Sequence, residues 1–123
     1  LGTRRNVPDL YQDFDMVVHP SHSENLGGAA ESLMLAVPTI ASNVGGFPDI
    51  VIPGKTGYLS EPFNPMSIAK AIEKVIANPA EAKQMAEYGK AYLHDLLNAK
   101  KTSKDVYDFY RLIKERFDEN NTR

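Results

Sequence analysis

The chain contains no cysteine. Disulfide staples, a thiolate zinc site and a cysteine nucleophile are thereby excluded. Histidine is scarce, three in 123 residues, and nothing in the spacing suggests a metal site. An excess of either charge is also lacking: 14 Lys and Arg stand against 16 Asp and Glu, a net charge of -2. That balance excludes a nucleic-acid binder working by bulk positive charge and argues against a disordered acidic tail. No apolar run approaches the ~20 residues a membrane span needs, and no stretch reads as a signal peptide. Repeats and low-complexity segments are missing as well. What remains is 42% hydrophobic and 24% charged residues, the balance of a soluble globular domain, expected in the cytoplasm. A single domain of this size buries roughly two thirds of its unfolded surface. The opening Leu1-Gly2-Thr3-Arg4-Arg5 reads as the middle of a domain, so residues 1–123 are expected to be a piece of a longer protein.

Helices and short strands alternate along the first half. Asn6-Val7-Pro8-Asp9 starts a helix with Leu10, Tyr11 and Phe14 on one face, ended by Asp15. Met16-Val17-Val18-His19, closed by Pro20, suits a strand buried on both faces. After a polar loop, Gly27-Gly28 opens a helix running to Leu35, and Pro38 to Ser42 forms a second buried strand. Pro48 starts a short helix through Val51, and the turn Pro53-Gly54-Lys55-Thr56-Gly57 leads into a third strand at Tyr58-Leu59. Three helices follow, opened at Asn64-Pro65, Asn78-Pro79 and Thr102-Ser103, the last carrying Val106, Phe109, Tyr110, Ile113 and Phe117 in line. The alternation predicts an α/β fold: a partial Rossmann-like parallel sheet with flanking helices and right-handed crossovers, followed by C-terminal helices. Three strands are few for such a sheet, so further strands are expected before Leu1.

In open parallel sheets, ligands bind beyond the carboxyl ends of the strands. The first strand ends at His19-Pro20, and the densest polar chemistry follows it. The helix opened by Gly27 and Gly28 presents amides without intrahelical partners and the positive end of a dipole, a setting that attracts phosphate. Glu24 precedes this end and Glu31 stands about two turns inside it. Carboxylates accept hydrogen bonds from hydroxyl pairs. Phosphate donors flanked by two hydroxyl readers suit a nucleotide-sugar. A glycine-opened helix beside a solvated Glu24 with no ligand explains the same residues, and from this chemistry alone both readings stand.

The run His19-Pro-Ser-His-Ser-Glu24-Asn-Leu-Gly-Gly28-Ala-Ala-Glu31-Ser-Leu-Met-Leu-Ala-Val-Pro38 is followed by Ser42-Asn-Val-Gly45-Gly46-Phe-Pro-Asp49 and by Gly54-Lys-Thr-Gly57-Tyr-Leu. These motifs resemble the C-terminal, donor-binding part of GT-B glycosyltransferases of family 4, the group 1 retaining transferases. That family reads P-S-x-x-E-G-F-G, an Ala-rich helix with a second Glu, G-x-P, S-D-V-G-G-x-P-E and G-x-T-G-x-L. Leu1-Gly-Thr-Arg4 resembles its L-G-x-R. The resemblance implies transfer, with retention, from a nucleotide-diphosphate sugar donor to a saccharide or lipid-linked acceptor, in the manner of bacterial surface-polysaccharide enzymes. It implies that Glu24 is the catalytic residue that reads donor-sugar hydroxyls, that Glu31 holds the ribose, that the backbone of Leu26, Gly27 and Gly28 meets the diphosphate, and that Asn25 belongs to the same substrate-binding loop. Two departures fall in this motif. Six residues separate the glutamates instead of seven, a deletion placed at the loop-to-helix joint, and Asn25 replaces the usual Gly. The upstream Arg and Lys that assist leaving-group departure in the family have no match here. The N-terminal acceptor domain is missing too, so this fragment alone is expected to be inactive. No cofactor and no metal are implied.

Other residues carry two readings each. His22 would touch donor sugar or acceptor, or be a plain surface histidine. Gly45-Gly46 would approach the ligand or serve a turn, Lys55 and Thr56 would form a turn or contact ligand, and Arg4 would lie near the nucleobase. Asp49 reads as a helix-start residue. Tyr107, Phe109 and Tyr110 read as a core stripe, on a helix that would pack against the N-terminal domain. Lys100, Lys101 and Lys104 form a small basic patch that would allow a peripheral membrane contact at the inner face. A binding module that holds a nucleotide-sugar without catalysis remains the alternative. A flavodoxin-like signalling domain would need an acidic cluster at its strand ends, and Asp15 precedes its strand.

Overall fold

A computed structural model describes residues 2–121. The chain runs α1 (Val7–Tyr11), β1 (Val17–His19), α2 (Gly27–Met34), β2 (Thr39–Ser42), α3 (Phe47–Ile50), β3 (Tyr58–Ser60), α4 (Pro65–Ala77), α5 (Pro79–Leu96) and α6 (Ala99–Asn121). The strands form one parallel sheet in the order β1-β2-β3, with Val18 opposite Ile40 and Ile40 opposite Tyr58. The fold is α/β, as the alternation predicts.

Central strand β2 is buried along its whole length, and its alternate side chains serve two cores. Ile40 packs with Ala71, Val75 and Ala82 on one face. Ala41 packs with Ala29, Leu33, Phe47, Ile50, Val51 and Leu93 on the other. Helix α5 serves both faces, Ala82 near its start and Leu93 near its end. It comes close to α2 because residue 89 is glycine: a Cβ there would stand 2.8 Å from Leu33 Cδ2. Asn64 caps α4 by accepting from the Ser67 amide at 3.1 Å.

Four expectations are corrected. Strand β1 is half-buried, not buried on both faces, because among the described residues only β2 pairs with it. Helix α1 closes at Tyr11, so Phe14 falls beyond it, 45% exposed, its ring 5.7 Å from that of Tyr11. Helix α6 starts at Ala99, three residues early, because Asn98 Oδ1 accepts from the amides of Lys100 and Lys101 at 3.1 and 3.2 Å. Its aromatic stripe is no core: every side chain from Ala99 to Asn120 is exposed, Tyr110 by 68%. The helical period identifies the apolar face but says nothing about what lies opposite it.

Candidate functional site

Strand β1 delivers His19 to the carboxyl edge of the sheet, and Pro20 ends the strand. The loop that follows is knitted locally. Ser21 Oγ donates to Glu24 Oε1 at 3.3 Å, and Asn25 Oδ1 accepts from the Gly27 amide at 3.0 Å. Helix α2 then begins at Gly27, so the joint between loop and helix lies between the two glutamates. Glu31 is the fifth helical residue, one turn inside and not two. Glu24, Asn25, Leu26, Gly27 and Glu31 are exposed, and Gly28 is half-buried. The Asn25 side chain occupies the Gly27 amide, so that one donor of the helix mouth is already partnered by the chain itself.

His19 packs beside the helix mouth. Its ring lies against Gly28, where a Cβ would stand 3.1 Å from Cε1, and its Nε2 is 3.3 Å from Ser32 Oγ. Ser32 Oγ also contacts the Ala29 carbonyl at 3.0 Å and Thr39 Oγ1 at 2.9 Å, so the ring joins a small buried hydroxyl network. Burial lowers the His19 pKa from its ordinary 6.5, while Glu24 and Glu31 both push it back up. Both carboxylates therefore act on the same ring. Burial raises the pKa of the Tyr11 phenol, and the charge of Glu31 raises it further.

The glycine pair in the β2–α3 loop faces this same loop. Gly45 has φ +55, and a Cβ there would stand 1.9 Å from the Glu24 carbonyl oxygen. A Cβ on Gly46 would meet Leu26 Cδ2 at 2.8 Å. The close approach that these glycines permit is to the chain's own Glu24–Leu26 segment. Thr56 lies in the turn, as its reading predicts, but it is fully buried and its hydroxyl is engaged by the chain: Oγ1 accepts from the Ile52 amide and donates to the Ile50 carbonyl, both at 2.7 Å. Lys55 is exposed and lines a shallow cleft of about 410 Å³ with Glu81, Gln84 and Tyr88. A larger groove of about 680 Å³ contains Tyr11, Leu35, Pro38, Ile76 and Lys83. Neither contains Glu24 or Glu31.

Asp49 lies in the first turn of α3, as its reading predicts. His22 is exposed and turned toward Phe63 in the loop after β3, with ring centroids 4.3 Å apart. Within the basic patch, Lys101 pairs with Asp95 at 3.4 Å and Lys104 with Asp108, exposed pairs that offset much of its local charge. From Asn6 to Gly54 the sequence contains no Lys or Arg, against the carboxylates of Asp9, Asp13, Asp15, Glu24, Glu31 and Asp49. Among the described residues, no group of three His, Asp or Glu is placed to hold a metal ion, and no helix is long and apolar enough to cross a membrane.

Sequence reasoning did not single out His19 or Phe63. His19 looks like the last residue of an apolar strand, and its polar role shows only once Ser32 and Gly28 fold against it. Phe63 gives no local signal, because its neighbour His22 is distant in sequence.

A family model described as glycosyl transferases group 1 matches residues 1–92. A D-inositol 3-phosphate glycosyltransferase of Nocardiopsis dassonvillei is 32% identical over 110 residues, 89% of this chain and 25% of that relative. The capsular polysaccharide biosynthesis glycosyltransferase CapM of Staphylococcus aureus is 38% identical over 68 residues, 54% of this chain and 18% of that protein. Among solved structures, sucrose-phosphate synthase from Thermosynechococcus elongatus superposes with a TM-score of 0.74 at 31% identity, over 85% of this chain and 26% of that one. The chain thus spans about a fifth to a quarter of the length of these relatives. With its parallel sheet, its helix mouth at the carboxyl edge and a family match over three quarters of its length, the chain belongs to the group 1 glycosyl transferases.

Proposed function

We propose that this chain is the donor-binding part of a retaining glycosyltransferase. The whole enzyme moves a sugar from a nucleotide diphosphate to a saccharide or lipid-linked acceptor, on the cytoplasmic side of a surface-polysaccharide pathway. In this reading Glu24 holds donor-sugar hydroxyls, Glu31 holds the ribose, and the amides at Leu26, Gly27 and Gly28 receive the diphosphate. One observation supports it above all: the mouth of α2 opens at the carboxyl edge of the sheet, with Glu24 in the loop before it and Glu31 one turn inside. A phosphate arriving at Gly27 displaces the Asn25 side chain from that amide.

The chemistry of departure limits what this part does alone. Charge grows on the diphosphate as the sugar leaves, and fixed donors must meet it. The stretch from Asn6 to Gly54 supplies backbone amides but no cationic side chain. The cations, the acceptor site and further strands beside β1 belong to the rest of the enzyme, and this part by itself does not turn over. The same lack favours the second reading, a module that holds a nucleotide-sugar without catalysis.

Calorimetric titration of the full-length protein with UDP, GDP and their sugar conjugates tests the reading. Glu31→Ala should weaken nucleotide binding by roughly 1–3 kcal/mol, the cost of orphaned ribose hydroxyls. Glu24→Ala should reduce turnover more than nucleotide affinity. The reverse order rejects the assignment, and sugar-nucleotide binding without turnover in the whole protein selects the binding module.

A further inference from the structure

Phe63 stands out on three counts. It is 77% exposed, it has φ +58, and its ring lies on that of another exposed residue, His22. A bulky side chain in the left-handed region is a genuine outlier, strained by clashes that glycine escapes. Ala36, the other described non-glycine residue with positive φ, has an ordinary explanation: it follows the C-terminus of α2, where the chain reverses and the Val37 amide bonds to the Ser32 carbonyl at 3.0 Å. Phe63 ends no helix. It precedes the cap of α4, in the loop that leaves the carboxyl end of β3. Strain kept at an exposed position calls for a reason outside local folding.

The place of the pair supplies one. His22 belongs to the loop after β1 and Phe63 to the loop after β3, so the pair joins two loops at the edge of the sheet where ligands bind. His22 stands two residues before Glu24, whose carboxylate Ser21 steadies from the same turn. One member of the pair therefore belongs to the loop that carries Glu24. Aromatic faces offer a flat apolar surface with a partial negative charge. The C–H face of a pyranose complements such a surface, while its hydroxyls turn outward to polar groups such as Glu24.

We propose that Phe63 and His22 form a stacking platform for a sugar ring. The inference rests on the donor reading of the Glu24 loop and adds a residue to it. The ring is that of the donor or that of the acceptor, since both present the same face.

The test uses the full-length protein with UDP, GDP, UDP-glucose, GDP-mannose, and free glucose and mannose in the presence of the nucleotide. NMR signals of the Phe63 and His22 rings should move with a sugar-bearing probe and stay in place with the nucleotide alone. Movement with the sugar-nucleotides assigns the donor ring, and movement only with added free sugar assigns the acceptor ring. Phe63→Ala and Phe63→Leu should weaken binding of that probe by roughly three- to tenfold, the scale of one aromatic stacking contact. Phe63→Tyr should keep it. Phe63→Gly should lose as much sugar affinity as Phe63→Ala yet melt above it, because glycine relieves the left-handed backbone and alanine does not. Equal sugar affinity in wild type and Phe63→Ala overturns the platform, and so does a Phe63→Ala loss equally large for bare nucleotide, which would mark a base-stacking role. If wild type binds no probe, the donor reading fails and the platform with it.

Discussion

Substituting alanine at Gly45 and at Gly54 separates backbone strain from steric collision. Both glycines lie in the left-handed region, at φ +55 and +72, so alanine suffers there in each case. That cost is about 1–2 kcal/mol, offset by about 0.4–1 kcal/mol because alanine restricts the unfolded chain. At Gly54 the new methyl meets nothing within 4 Å, and the net loss should stay near or below about 1 kcal/mol. At Gly45 it would stand 1.9 Å from the Glu24 carbonyl oxygen, a separation that no relaxed structure tolerates. One loop must move, and overpacking of this kind adds about 1–3 kcal/mol. For a domain of this size, each kcal/mol shifts the melting temperature by roughly 3–5 °C. Gly45→Ala should therefore melt about 3–15 °C below Gly54→Ala in differential scanning calorimetry. Because the displaced segment carries Glu24, Gly45→Ala should also lose sugar-nucleotide affinity at temperatures where it remains folded, and Gly54→Ala should not. Equal melting of the two variants would show that the Gly45–Glu24 contact holds nothing in place, and the account of how Glu24 is positioned would fail.

Three further outcomes are expected. Thr56→Val keeps the shape but strands the Ile52 amide and the Ile50 carbonyl, and should cost about 2–4 kcal/mol in urea unfolding; a loss under about 0.5 kcal/mol would show that water reaches them. His19 has a folded pKa below its ordinary 6.5, so the unfolded chain takes up the proton first. The stability linked to this ring is complete above that value and is lost as pH falls below it. Urea midpoints between pH 8 and 5 should drop more steeply in wild type than in His19→Gln, and parallel curves would refute the linkage. Asn25→Ala should cost about 0.5–1 kcal/mol through the freed Gly27 amide and tighten the binding of nucleotide diphosphates; weaker binding would mean that the side chain assists the ligand.

Where the physics is local, the sequence is readable. The strands fall within a residue or two of their predicted places, because short apolar runs closed by proline or glycine leave little choice. Asn64 and Pro65 mark the start of α4 for the same reason. The misreadings come from distance. Gly45 announces an unusual backbone but not that Glu24 lies against it. Thr56 is legible as part of a turn, but nothing local shows that its hydroxyl closes a bond to Ile50 that forms only when α3 packs down. His19 gains its partners from α2, thirteen residues on in the case of Ser32. Phe63 defies the local rule outright, since left-handed positions normally declare themselves as glycine or asparagine.

Helix α6 has a consequence for anyone who handles this chain. Its 23 residues extend about 35 Å, and no side chain from Ala99 to Asn120 is shielded from water. A rod without such shelter stays close to the balance between helix and coil. Its ellipticity should fade gradually on warming, while the α/β body gives way in one step. The far-ultraviolet melt would then superimpose a slope on a sigmoid, and a two-state fit that ignores the slope would misstate the stability of the body.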